Sequence, residues 1–178
     1  MNAEPLALRG VTLFRADFHA DERGTFRRIV DLPELARLGL DPAVVQISTA
    51  TNVRRGTVRG MHYQAAPHGE SKTLWCTHGC VFDVLVDLRE DEATYGQWIS
   101  VELGAADALA LHVPPGIAHG YQTLVDDSTL TYAIGTPYVP ASARSLRWDD
   151  PTVGIEWPLA VTAISQRDRE APPWPPAP

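Results

Sequence analysis

The stretch Val44–Ile134 contains a series of short apolar segments separated by turn residues, namely VVQIST, VRGMHYQ, KTLWCTHG, CVFDVLVDLR, QWISVEL, ALALHVP, GYQTLV and STLTYAI. Their spacing, roughly 8–12 residues, is typical of β-sandwiches and barrels. No helical pattern of about 10–15 residues separates them, which argues against a parallel βαβ sheet. We therefore predict an all-β fold, a jelly-roll antiparallel β-barrel with a few short helices.

Outside this stretch, the sequence predicts one helix at Leu32–Leu40 (LPELARLGL), with a proline in its first turn and Gly39 near its end. The C-terminal segment 171–178 (APPWPPAP) holds five of the fifteen prolines, and we expect an extended tail there. No internal repeat or interior linker is evident, so residues 1–178 are expected to form a single domain.

The charge balance limits the class of partner. Fifteen Lys and Arg residues against twenty-two Asp and Glu residues give a formal net charge of −7. This argues against a nucleic-acid partner but allows a small arginine-lined anion pocket. The sequence contains neither a signal-peptide pattern nor a long uncharged apolar run. We therefore expect a cytoplasmic protein with no membrane partner.

Two segments carry residues suited to chemistry. In Val58–Gln64 (VRGMHYQ), strand alternation predicts His62 and Gln64 on one face and Arg59 on the other. The P-x-G-x-x-H spacing that ends at His119 resembles the second motif of the cupin barrels. Many cupins hold a metal with an H-x-H pair, but here the second position is Gln64, and a carboxamide is a poor ligand for a transition metal. We therefore predict a cupin barrel without a metal site.

Seven segments in order resemble the dTDP-4-dehydrorhamnose 3,5-epimerase family, including its members that epimerise a single carbon. They are DERGTF (21–26), VRGMHYQ, Lys72, VFDVLVDLR, TYGQW (94–98), PPGIAHGY and WDDPTVGIEWP (148–158). The resemblance covers about residues 10–170. It implies inversion of a dTDP-4-keto-6-deoxyhexose at C3, C5 or both, by proton abstraction next to the C4 ketone. No redox cofactor is implied, and neither G-x-G-x-x-G nor a P-loop motif appears.

The resemblance also implies catalytic roles. His62 matches the base, and Asp168 matches the carboxylate that orients it. Lys72 matches the cation that meets the developing C4 oxyanion, and Tyr132 matches the acid on the far face. A phenol has an ordinary pKa near 10, so Tyr132 needs a neighbouring positive charge or a polarised network to transfer protons in both directions.

A second set of residues matches the substrate contacts of the family. It consists of Arg23 and Arg59 for the diphosphate, Phe18 and Phe26 for the thymine ring, and Gln46, His119 and Tyr138 for the pocket. In the family, the region of Arg23 and Phe26 comes from the partner subunit. The resemblance therefore implies a homodimer with shared active sites.

Three positions depart from the family pattern, with Arg28 for a glutamate, Ser48 for an asparagine and Ala133 for a lysine. Base recognition and the number of inverted carbons therefore stay open. The sequence also allows three other functions: a sugar-nucleotide 3,4-ketoisomerase, a non-catalytic sugar-nucleotide-binding cupin, and a metallo-cupin oxygenase, which Gln64 disfavours.

Overall fold

The computed structural model describes residues 2–175, which form strands and two short helices. The strands are β1 (Asn2–Pro5), β2 (Thr12–Arg15), β3 (Phe18–Asp21), β4 (Gly24–Arg27), β5 (Gln46–Asn52), β6 (Val58–Gln64), β7 (Lys72–His78), β8 (Cys80–Asp87), β9 (Trp98–Gly104), β10 (Leu109–Val113), β11 (Ile117–Thr123), β12 (Ser128–Ile134) and β13 (Ala143–Ser145). The helices are α1 (Leu32–Arg37) and α2 (Gln166–Arg169).

The strands form two facing antiparallel sheets and a separate hairpin. The six-stranded sheet has the order β1-β2-β10-β7-β12-β5, and the five-stranded sheet has the order β13-β6-β11-β8-β9. Strands β3 and β4 pair only with each other in the described chain. The segments predicted from the sequence correspond to β5–β12, so the predicted all-β antiparallel barrel is confirmed.

The space between the two sheets holds the main core. Alternating residues of β7, β8, β10 and β12 point inward, and Leu74, Leu85 and Leu130 are among the fully buried side chains. Burial of a leucine of this kind stabilises the fold by about 1.5–3 kcal/mol. At one end of the barrel the inward positions become polar, and the candidate site lies there.

Helix α1 covers the outer face of the six-stranded sheet with its buried Leu35. Asp31 caps its first turn, since its side chain accepts a hydrogen bond from the Glu34 amide at 3.3 Å. The predicted helix extended to Leu40, and this end is wrong. Gly39 has a φ of +73°, a left-handed conformation that ends a helix, so α1 stops at Arg37.

The C-terminal part of the chain covers the outer face of the five-stranded sheet. Its tail is anchored by the Trp174 amide, which donates to Asp150 at 2.8 Å, and by the indole of Trp174, whose ring centroid lies 4.9 Å from that of Tyr95. The sequence predicts an extended tail at residues 171–178. Residues 171–175 contain no helix or strand, and residues 176–178 lie outside the described residues. Within residues 2–175, no helix has the length and apolar character that crossing a bilayer requires.

Candidate active site

A β-bulge in β6 decides which side chains enter the barrel. Arg59 pairs with Tyr121 and His62 pairs with His119, so three steps along β6 match two steps along β11. The extra residue reverses the alternation and places Arg59 on the same face as His62. The prediction that these two residues point to opposite faces is therefore wrong. Gly60 permits the bulge, because a Cβ there would lie 2.5 Å from the backbone of β11.

His62 lies at the barrel mouth and forms a pair with Asp168. Its Nε2 is 2.7 Å from the Asp168 carboxylate, which is itself buried. Asp168 comes from α2, whose N-cap Ser165 accepts a hydrogen bond from the Asp168 amide at 3.1 Å. Burial favours a raised pKa of Asp168, but the hydrogen bond and charge of His62 outweigh it, and the pKa is below its ordinary value. A cavity of about 380 Å³ lies over this pair and is lined in part by Arg59.

A second histidine–aspartate pair lies next to the first but is sealed inside the barrel. His119 Nε2 is 2.8 Å from the Asp83 carboxylate. The other Asp83 oxygen, Oδ1, is buried and has no hydrogen-bond partner within residues 2–175. Burial raises the pKa of Asp83, and the neighbouring His119 and Lys72 oppose that rise.

The opposite wall of the barrel, formed by the six-stranded sheet, carries Lys72 and Tyr132. Lys72 is buried on β7, and its Nζ donates to Glu70 at 2.8 Å. Tyr132 on β12 meets the ring of His119 edge-on, with 5.9 Å between the ring centroids. Burial, followed by Tyr121 and Asp83, raises the pKa of Tyr132 well above its ordinary value, so its phenol is protonated at neutral pH. Residues predicted as base and acid therefore lie on facing sheets.

A buried polar network lies behind Tyr132. The Tyr121 hydroxyl lies 3.1 Å from Asn52 Nδ2 and 3.3 Å from Asn52 Oδ1. Arg59 Nε donates to Asn52 Oδ1 at 2.7 Å. We did not predict Tyr121, Asn52, Asp83 or Glu70. Two of them left a signal: Tyr121 follows His119 at strand spacing, and a charged Asp83 within the apolar VFDVLVD indicates a paired buried group.

Gln64 lies on the same face of β6 as His62, but its side chain holds neighbouring loops in place through hydrogen bonds to their backbone. Its Nε2 donates to the carbonyls of His68 at 3.0 Å and Pro137 at 3.3 Å, and its Oε1 accepts from the Val139 amide at 2.7 Å. All its polar functions are thus engaged by backbone groups. Across residues 2–175, no three His, Cys, Asp or Glu side chains lie close enough together to hold a metal ion.

The remaining predicted pocket residues lie at different depths. Gln46 pairs with Ile134 on β12, which places it on the same face as Ser48 and Tyr132. Tyr138 is 57% exposed on the loop that Gln64 anchors. In the part of the chain described, no hydrogen bond or ring contact joins Tyr138 to the histidines or to Tyr132.

The hairpin β3–β4 carries Arg23, Phe18 and Phe26 away from the His62 cavity of the same chain. Phe18 is 61% exposed and Phe26 is 69% exposed. Arg23 is exposed, and its guanidinium makes a bidentate pair with the Asp21 carboxylate. This pair lowers the pKa of Asp21. A single chain therefore does not bring these three residues to the histidine pairs.

Comparison with known proteins agrees with this architecture. Residues 5–175 match the family model described as dTDP-4-dehydrorhamnose 3,5-epimerase. A dTDP-4-dehydrorhamnose 3,5-epimerase from Sinorhizobium fredii (strain NBRC 101917 / NGR234) is 37% identical over 173 residues, covering 97% of this chain and 89% of that protein. A dTDP-4-dehydrorhamnose 3-epimerase from Streptomyces niveus is 34% identical over 172 residues, covering 96% of this chain and 83% of that protein.

A solved structure extends the likeness to three dimensions. The dTDP-6-deoxy-D-glucose-3,5-epimerase from Legionella pneumophila Philadelphia 1, in complex with dTDP-4-keto-L-rhamnose, has a TM-score of 0.89 at 30% identity. The match covers 96% of this chain and 90% of that one. Since both the sequence and the barrel match over nearly their whole length, the chain belongs to the dTDP-4-dehydrorhamnose 3,5-epimerase family of isomerases with a cupin-like fold.

Proposed function

We propose that this protein is a cofactor-independent epimerase of a dTDP-4-keto-6-deoxyhexose, which inverts C3, C5 or both. Hydrogens on these carbons are acidic because both flank the C4 ketone. Inversion needs a base on one face of the sugar and an acid on the other. The observation that carries the proposal is that His62 and Tyr132 lie on facing sheets of one barrel, with His119 between them.

His62 acts as the base through its Nδ1. Its Nε2 is held by Asp168 at 2.7 Å, so Nε2 carries the hydrogen and Nδ1 has the free lone pair. The carboxylate also stabilises the imidazolium that forms when Nδ1 takes the proton from carbon. The cavity lined by His62 leaves room for a sugar ring beside the imidazole.

Lys72 and Tyr132 complete the reaction from the other wall. The Lys72 ammonium, held by Glu70, meets the enolate oxygen at C4 and stabilises its negative charge. Tyr132 then donates its phenolic proton to the opposite face of the carbon. His62 releases its proton to water and Tyr132 regains one from water, so the enzyme returns to its starting state and the C4 carbonyl is unchanged.

Substrate recognition involves a second copy of the chain. A two-stranded hairpin with exposed phenylalanines is marginally stable alone in water, which favours its docking against a partner. In the proposed homodimer, Arg23, Phe18 and Phe26 of one subunit close the site of the other around the nucleotide. Arg59 binds the diphosphate through its guanidinium, and the dTDP-sugar bound to the Legionella relative supports this substrate class.

Three further features belong to the same proposal. Gln46 and Tyr138 orient the sugar directly, and the buried His119 does so by packing between His62 and Tyr132. The reaction needs no metal, and the enzyme acts in the cytoplasm.

The test is incubation with dTDP-4-keto-6-deoxyglucose, followed by NMR of the product. We expect the carbonyl to stay at C4 and the configuration at C3, C5 or both to change. A product with its carbonyl at C3 would identify a 3,4-ketoisomerase instead. Unchanged sugar with nucleotide bound would identify a binding module.

A further inference from the structure

Arg59 is held by a neutral side chain, unlike the arginines that pair with carboxylates elsewhere in the molecule. Its Nε donates to Oδ1 of Asn52 at 2.7 Å. By contrast, the guanidinium of Arg89 makes a bidentate pair with the Asp87 carboxylate. A carboxylate cancels the charge of its arginine, whereas an amide oxygen fixes the guanidinium and leaves its charge intact. The charge of Arg59 therefore remains available to an anion.

Asn52, the last residue of β5, is buried and has all its hydrogen-bonding groups engaged. Its two Nδ2 hydrogens are donated to the backbone carbonyls of Ser128 at 3.0 Å and Ala50 at 3.1 Å. Since these carbonyls use both hydrogens, the Tyr121 hydroxyl donates to Oδ1, at 3.3 Å. A flipped amide would set its oxygen against two carbonyls and its nitrogen against Arg59 Nε. The surroundings of Asn52 therefore fix one orientation of its amide.

The Arg59 guanidinium keeps donors for a ligand. Within residues 2–175, its only hydrogen bond besides the one to Asn52 is a long one, from an Nη to the Thr51 carbonyl at 3.4 Å. Arg59 is exposed and lines the same cavity of about 380 Å³ as His62 and Asp168. A guanidinium held at Nε can use its two Nη groups to bind two phosphate oxygens at once.

We propose that Asn52 is a positioning residue for substrate binding, which holds the Arg59 guanidinium in place for the diphosphate of the nucleotide sugar. The inference rests on the proposed function, which assigns Arg59 to the diphosphate. Asn52 does not touch the substrate and acts through Arg59. It orders an exposed side chain before binding, so that less rotamer freedom is lost when the ligand binds.

The test measures dTDP binding by calorimetry in Asn52→Ala, in Arg59→Ala and in the double variant. Ordering one long side chain costs enough free energy to weaken binding roughly fivefold to tenfold, and we expect that loss in Asn52→Ala. In the Arg59→Ala background, the same substitution should cause no further loss, because no guanidinium remains to be held.

Steady-state kinetics with dTDP-4-keto-6-deoxyglucose separate positioning from general damage. In Asn52→Ala, KM should rise roughly fivefold to tenfold with kcat within about twofold of wild type, since Arg59 contacts the diphosphate and not the reacting carbons. Thr51→Val is the matched control. It removes a hydroxyl that accepts from Thr129 at 3.3 Å at the neighbouring position of β5, and it should change neither KM nor kcat.

A measurement on the wild-type protein keeps the inference testable if Asn52→Ala does not fold. The Nε–H signal of Arg59 is assigned in ¹H–¹⁵N NMR spectra by its absence from Arg59→Lys. Because Asn52 holds this hydrogen, it should exchange slowly with water in the free protein and should stay slow when dTDP is added. Rapid exchange in the free protein would show that Arg59 is not held before binding and would overturn the inference.

The variants can also overturn it. Unchanged dTDP affinity in Asn52→Ala, or losses that add in the double variant, would show that Asn52 does not act through Arg59. A fall in kcat as large as the rise in KM would indicate a general structural role. A wild-type protein that binds dTDP but leaves the sugar unchanged would overturn the proposed epimerase, and the binding data would still decide the role of Asn52. A wild-type protein that does not bind dTDP would overturn both.

Discussion

Two histidine–aspartate pairs of nearly equal length lie side by side in this barrel. His62 and His119 are cross-strand neighbours, and their carboxylate distances are 2.7 Å and 2.8 Å. Their exposure differs sharply: the side chains of His62 and Asp168 are 42% and 6% exposed, and those of His119 and Asp83 are 5% and 0% exposed. The same two residue types can thus serve two functions, since only His62 can exchange a proton with a molecule in the cavity.

The origin of each carboxylate explains the difference. Asp83 belongs to the middle of β8 and lies between the sheets, where burial raises its pKa. Asp168 arrives on a short helix late in the chain and reaches the mouth from outside the sheet. Although burial favours a raised pKa of Asp168 too, the bonds from His62, Gly60 and Ser165 lower it, so Asp168 stays ionised beside the base.

Removal of the open histidine should give the largest effect. We expect His62→Ala to reduce deuterium uptake into the sugar by roughly 10²–10⁴, the usual loss for a positioned general base. Nucleotide affinity should stay within a few-fold, as measured by calorimetry with dTDP. Uptake close to that of wild type would remove His62 from the mechanism.

Loss of Tyr132, the proposed acid on the facing sheet, should separate proton removal from inversion. In Tyr132→Phe, His62 can still form the enolate and return a proton to the same face, so deuterium uptake should persist at a reduced rate. Inverted product should fall roughly 10²-fold, because no donor remains on the far face. Mass spectrometry and NMR on one sample measure both. Inversion near the wild-type rate would assign the acid to water or another side chain.

The sealed pair should matter most for stability. His119→Ala leaves Asp83 buried without its partner, and we expect the free energy of unfolding to fall by about 3 kcal/mol or more. His62→Ala should change the free energy of unfolding by less than about 1 kcal/mol, because removal of the partly exposed His62 side chain opens the Asp168 carboxylate to water. Urea unfolding of both variants compares the two directly. Similar losses in both would contradict the division between an open and a sealed pair.

His112 shows what burial does to a histidine that makes no hydrogen bond to a carboxylate, even with the charge of Asp41 nearby opposing the shift of its pKa. It is buried on the outer face of the six-stranded sheet, its Nδ1 is 3.0 Å from Thr73 Oγ1, and burial lowers its pKa from 6.5 to about 4. Above pH 6.5 it is neutral in both the folded and the unfolded chain. As the pH falls from 6.5 to about 4, only the unfolded chain takes up the proton, so the folded state loses stability.

We therefore expect His112 to lower the free energy of unfolding by about 2–3 kcal/mol between pH 7 and pH 4.5. Denaturant unfolding of wild type and His112→Gln at both pH values measures the contribution, which should be absent from the variant. His78→Gln, at an exposed histidine, is the control and should behave like wild type. Equal acid losses in wild type and His112→Gln would show that His112 is not the group responsible.

The smallest expected effect is that of chelation. Neither pair is proposed to hold a metal, and Gln64 is engaged by backbone groups. Activity should be unchanged after dialysis against a chelator. About one equivalent of iron, zinc or nickel by elemental analysis, with loss of activity on chelation, would contradict this expectation.

The strands and several site residues could be predicted from the sequence, but the side-chain positions that form the two pairs could not. Alternation located β5–β12 because each strand buries one face, and the family resemblance named His62, Lys72 and Tyr132. The alternation pattern assigned Arg59 to the wrong face of the sheet, because one bulged residue reverses the face of every position before it in the strand. The bulge depends on the close approach of two backbones, which a single-strand pattern does not encode.

Contacts between residues far apart in sequence were the second feature that the sequence pattern could not predict. Asp168 meets His62 across 106 positions of sequence, and nothing in the local pattern of residues 165–168 distinguishes it from a solvated acid. The hairpin β3–β4 was also missed, because its exposed phenylalanines do not follow the pattern of a strand that packs on its own core. The functions of such residues depend on contacts with distant parts of the structure, which a local sequence pattern does not encode.

The measurement that tests the central claim most directly is deuterium uptake by wild-type protein. dTDP-4-keto-6-deoxyglucose is incubated in deuterated water, and deuterium is counted at C3 and C5 of the recovered sugar. We expect uptake at one or both carbons, with the carbonyl retained at C4 and an inverted product. A sugar recovered without deuterium and without inversion would contradict it.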